Sequence, residues 1–90
     1  MRPIRWTVHA AASLTDREIE RDEAERTIAA PDRTVPGHGG RQVLLRKFHD
    51  AVRGQPMLLC VAVDDQSDER VVVTVYKTSK LDKYLERGAL

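Results

Sequence analysis

The sequence predicts an α+β domain: two N-terminal helices packed on a small antiparallel sheet of three to four strands, with a short C-terminal helix. Three observations carry this. Apolar residues in the first third recur at helical spacing and stop at Pro31. Beyond residue 40, three runs rich in aliphatic and β-branched residues are separated by short polar connections. Ser79, with Asp82 three residues on and Gly88 after Arg87, brackets a last helical segment. A chain of 90 residues supports one modest core, so residues 1–90 are read as a single domain.

Taken in order, Trp6, Thr7 and Val8 begin extended, and the chain then turns helical over residues 9–17. Val8, Ala11, Ala12 and Leu14 supply the apolar side of that helix. A break falls at Glu18. The second helix, residues 21–30, places Ala24 and Ile28 four apart on one face, with Glu20 as its cap and Ile19 stapled against Ala24. Pro31 ends it, because proline drives the preceding residue out of the helical region. Residues 34–40 read as a turn-rich connection, punctuated by Pro36-Gly37 and Gly39-Gly40. Residues 41–48 alternate as a strand with one wet face, and the continuous apolar run 57–63 reads as a central strand. Residues 71–77 form the third. The connections 50–56 and 64–70 are short enough for antiparallel hairpins, and the last helix is expected over residues 80–87.

Composition narrows the class of function. With 41% hydrophobic and 32% charged residues, the chain has the balance of a soluble globular protein. The run 57–63 is about a third of the length a membrane span needs, and Arg2 and Arg5 are followed by no apolar signal stretch, so a cytoplasmic location and no membrane partner are expected. The single cysteine, Cys60, excludes an internal disulfide and sits in the apolar run as a small core residue. Asp64, Asp65, Asp68 and Glu69 lack the glycine and spacing of a calcium loop and read as a charged hairpin tip. No phosphate loop, nucleotide fingerprint, Ser-His-Asp arrangement or HExxH sequence is present, so neither a metal nor another cofactor is expected.

The net charge of +1 conceals a segregation along the chain. Residues 16–33 carry seven acids against four bases, whereas residues 41–53 carry Arg41, Arg46, Lys47 and Arg53 against Asp50 alone. Residues 70–87 hold Arg70, Lys77, Lys80, Lys83 and Arg87 against Asp82 and Glu86. Acidic helices beside basic strands suit a phosphate backbone on the sheet, although the same charges also serve as ordinary solvated faces.

The order His9-Ala10, Arg17-x-Ile19, Pro31-Asp32 and Val73-Thr74-Val75-Tyr76-Lys77-Thr78-Ser79 resembles a small bacterial and phage domain family related by fold to RelE/ParE-type toxins, most closely the BrnT-like branch. Arg41 falls where that family's sheet begins, and the resemblance runs over about residues 6–80. It implies a RelE/ParE-like layout. It also implies a superfamily that includes ribonucleases, gyrase poisons and members without assigned chemistry, its toxins typically encoded beside an antitoxin that covers the active face. Two positions depart from the pattern. Glu18 replaces a common glycine, so it either tolerates a left-handed backbone at some cost or the helices join differently. Glu20 replaces a Ser or Thr cap.

Metal-independent RNA cleavage needs a base for the 2′-hydroxyl, an acid for the leaving oxygen and cations on the phosphate. The candidate catalytic residues are His9 as base or acid, Arg46 as phosphate clamp, and Lys77 and Tyr84 as proton donors, with Arg41, Lys47 and Lys80 contacting RNA. Each has a structural alternative: His9 orienting its helix, Arg17 pairing with a carboxylate or with helix-end carbonyls, and the strand cations simply in water. His38 and His49 lie in predicted turns. The expected function is a toxin-like, metal-independent ribonuclease or RNA-binding protein of a toxin-antitoxin system, with an antitoxin and RNA or the ribosome as partners. The competing expectation is a non-catalytic interaction module, with Glu20, Asp22, Glu23 and Glu25 offered to a basic partner. Gyrase inhibition is a third. Only Trp6, Phe48, Tyr76 and Tyr84 are available to stack on bases, which argues against strong base-sequence readout.

Overall fold

A computed structural model describes residues 3–81. The elements, in chain order, are β1 (Ile4–Trp6), α1 (Val8–Asp16), α2 (Arg21–Ala29), β2 (Arg33–Pro36), β3 (Gln42–Asp50), β4 (Gln55–Asp65) and β5 (Arg70–Thr78), with a single 3-10 turn at His38–Gly40. The strands form one five-stranded sheet in the order β1-β5-β4-β3-β2. β2, β3, β4 and β5 are antiparallel neighbours, and β1 pairs in parallel with β5, Ile4 opposite Arg70. Both helices pack on one face of this sheet, α1 over β5 and α2 over β3 and β4.

Three expectations need correction. The sheet is mixed and five-stranded, not a purely antiparallel sheet of three to four. Part of the connection expected at 34–40 is strand β2, paired with β3 from Arg33 opposite Leu45 to Pro36 opposite Gln42. Pro36 is tolerated because β2 is an edge strand, where the missing N–H interrupts no internal ladder. The last described element is strand β5 and not the expected short C-terminal helix. Thr78 is still paired with Leu58, and it is the Thr78 hydroxyl that accepts the Lys80 N–H at 3.1 Å. Strand pairing ends at Thr78, one residue before the expected cap at Ser79, and residues 82–87 of that expected helix lie outside the described residues.

The central run is apolar without alternation because both faces of β4 are covered. On the helix side, Leu44, Leu59, Val61, Val63, Val72 and Val75 pack with Ala10, Ile19, Ala24 and Ile28. On the opposite side, Val35, Val43, Leu45, Leu58, Cys60 and Ala62 form a second cluster, with Tyr76 and Leu81 against it.

α1 is fixed at both ends. The Thr7 hydroxyl accepts the Ala10 N–H at 3.0 Å as N-cap and donates to the Val72 carbonyl at 3.0 Å, joining helix start to strand. At the other end, the Glu18 N–H reaches the Thr15 carbonyl at 3.3 Å and the Ile19 N–H reaches the Leu14 carbonyl at 2.8 Å. This is a Schellman ending, with Ile19 and Leu14 meeting in the core and Glu18 in the left-handed position, φ 54°. Of the two alternatives open at Glu18, the left-handed backbone is the one the chain adopts. Glu20 occupies the N-cap of α2 without a side-chain cap bond, leaving Asp22 and Glu23 in the first turn to complement the helix dipole. The Arg21 guanidinium lies 4.7 Å over the Trp6 ring and pins the start of α2 to β1.

Candidate functional site

Sheet register brings two of the predicted residues into one row. Arg46 is opposite Leu59 and Leu59 opposite Lys77, so Arg46 and Lys77 stand on the helix side of the sheet, two strand spacings, or about 10 Å, apart. Their side chains then diverge. Arg46 Nε donates to Thr27 Oγ1 at 3.1 Å, and that hydroxyl donates to the Glu23 carbonyl at 3.0 Å. Thr27 is fully buried, so the Nε–H of Arg46 ties β3 to α2, while the Arg46 side chain itself stays half-buried.

Lys77 turns towards the end of α1, where its Nζ lies 3.5 Å from the Glu18 carbonyl. Here a groove of about 360 Å³ opens, lined by Asp16, Arg17, Glu18, Arg53, Met57, Tyr76 and Lys77. Each lining residue owes its place to local folding. The Schellman ending turns Arg17 and Glu18 over the end of β5. Arg17 Nη1 donates to the Val75 carbonyl at 2.7 Å and to Thr74 Oγ1 at 3.1 Å. The β3–β4 turn brings in Arg53: Asp50 Oδ1 accepts the N–H groups of Val52 and Arg53, each at 3.0 Å, and Gly54 takes φ 65° to close the turn. The Arg53 N–H holds the Asp50 carboxyl below its ordinary value, and the Val52 N–H and the charges of Lys77 and Arg53 act the same way against a desolvation that opposes them. Three cations, Arg17, Arg53 and Lys77, thus meet at one end of the sheet, interleaved with Asp16, Glu18 and Asp50.

The other predicted residues that the structure describes do not join them. His9 is exposed in the first turn of α1, at the Val72 end of β5, about 10 Å along the helix from the groove. Arg41 is exposed beyond the 3-10 turn, its carbonyl accepting the Gly37 N–H at 2.8 Å. Lys47 lies on the opposite face of the sheet in the row of Leu58 and Thr78, its N–H donating to Asp32 Oδ2 at 2.8 Å. Lys80 is exposed just past β5. Tyr84 lies outside the described residues. Sequence reasoning does not single out Asp16, Glu18 and Arg53 as residues of a site. The available signals are the left-handed alternative at Glu18 and the Asp50 to Gly54 turn, which aims Arg53.

The acidic tip at 64–69 is explained by ion pairs. Arg70 Nε meets Asp65 Oδ1 at 2.6 Å, and Arg5 Nε meets Glu69 Oε2 at 3.0 Å. No group of three or more His, Cys, Asp or Glu suited to a metal ion occurs among the described residues. No described helix is long and apolar enough to cross a membrane.

Comparison with known proteins adds the family. Residues 6–77 match a family described as a domain of unknown function, DUF4258. No match was found among curated proteins or solved structures. The matched stretch runs from the last residue of β1 to the lysine of the groove and takes in both helices and the three long strands; the chain belongs to the DUF4258 family.

Proposed function

We propose that this protein binds RNA, taking the phosphate backbone in the groove between the end of α1 and the β3–β4 turn, as an RNA-directed domain of the toxin-antitoxin kind that the resemblance implies. The observation that carries this reading is the convergence of Arg17, Arg53 and Lys77 on one groove from a helix end, a turn and a strand. Lysine and arginine are the groups that neutralise phosphates, and spacing them across separate elements fits an extended strand. Binding is favoured over cleavage. Among the described residues the cations gather, whereas His9, the candidate base or acid, stands at the far end of α1 from the groove.

Fluorescence anisotropy with a single-stranded RNA oligonucleotide over a salt series tests the proposal. Wild-type affinity should fall as salt rises. An Arg53→Ala, Lys77→Ala double variant should bind more weakly, with its log–log salt slope reduced by about 0.7 for each phosphate it no longer neutralises. Binding that is absent, or unchanged in the double variant, would overturn it and leave a protein partner, approached through the exposed acids Glu20, Asp22 and Glu25 of α2, as the reading to pursue.

A further inference from the structure

Glu18 is, among the described residues, the one non-glycine with a positive φ, at 54°. It occupies the helix-ending position where glycine is favoured, because a side chain there crowds the backbone. The same residue lines the groove, and its carbonyl receives Lys77 Nζ at 3.5 Å. A side chain placed where the backbone disfavours one, at the wall of a groove where three cations and their neighbouring acids meet, is the arrangement in which local strain accompanies function.

The chemistry of a carboxylate there is specific. It repels phosphate, so it does not serve as one more backbone contact. Ionised, it only accepts hydrogen bonds. With phosphates on Arg53 and Lys77, the donor that every ribonucleotide presents beside them, and that a deoxyribonucleotide lacks, is the 2′-hydroxyl. We infer that Glu18 is the specificity-determining residue of the groove, accepting a 2′-hydroxyl and so selecting ribose over deoxyribose. This rests on the reading of the groove as a phosphate-backbone site.

The test measures binding of an RNA oligonucleotide and of DNA of the same base order to the wild type, Glu18→Gly and Glu18→Leu, with thermal melting of each protein. Glycine removes both the acceptor and the backbone conflict; leucine removes the acceptor and keeps the conflict. The wild type should prefer RNA by about tenfold, the worth of one hydrogen bond to a charged group. Both variants should lose that preference while retaining DNA binding, and only Glu18→Gly should melt higher, by about 4 °C. An RNA preference that survives in both variants, or a wild type that binds RNA and DNA equally, overturns the role of Glu18 and leaves the phosphate site standing. A wild type that binds neither overturns both.

Discussion

Cys60 shows what the middle of this sheet does to an ionisable group. It sits between Leu45 and Tyr76 in a row across the face opposite α1 and α2, fully buried, and burial pushes its thiol up to about 12, with a Tyr76 side-chain hydrogen bond pulling the other way. The folded value is raised above the ordinary value of 9.0, so the folded state holds its proton where the unfolded chain releases it. The resulting stability is complete below about pH 9 and is lost as pH rises from there through about 12. Between about pH 8 and about pH 10, urea denaturation should therefore show a loss on the order of 1 kcal/mol that a Cys60→Ala variant lacks. Equal losses in both proteins would contradict this. Arg46 makes a related point. Its type and strand position are legible in the sequence, but its commitment to Thr27 depends on where α2 lands, which no spacing within β3 encodes.

The elements differ in how far the sequence reveals them, and length is the reason. α1, α2, β3, β4 and β5 each run nine residues or more, enough for a period or an unbroken apolar stretch to show. β1 has three residues and β2 four, one of them proline, so their pairing depends on partners distant in sequence. The groove is hidden for the same reason: its residues come from a helix end, a turn and two strands. The second half of β5 shows how tertiary contacts complete an element. β1 pairs only as far as Val72, and beyond it the edge is served by side chains of α1, with Ser13 Oγ accepting the Val75 N–H at 3.3 Å and Arg17 donating to the Val75 carbonyl. Replacing Ser13 by Ala should leave a buried N–H without its partner and cost about 1–3 kcal/mol in chemical denaturation. The exposed Thr15→Ala control should change stability by less than about 0.5 kcal/mol.

For the whole molecule, the sheet edges govern behaviour in solution. Short β1 and proline-bearing β2 leave little edge for another chain to extend. A protein lacking residues 1–6 should expose the β5 backbone along Arg70, Val71 and Val72 and take away the Trp6 ring on which Arg21 rests. Size-exclusion chromatography should then show self-association that the intact protein lacks; a monodisperse truncated monomer would count against edge protection as the role of β1.

The parallel pairing of Ile4 with Arg70 has a further consequence, in time rather than in space. The helices emerge from the ribosome early, yet the surface that buries Ala10, Ile19, Ala24 and Ile28 is built from strands made later. β1 has no partner until β5 exists. At about 5–20 residues per second, the nascent chain carries those apolar side chains uncovered for several seconds. Folding here waits on the last strand, so any factor that shields or cuts unfolded chains has its opportunity during synthesis, before the sheet can close.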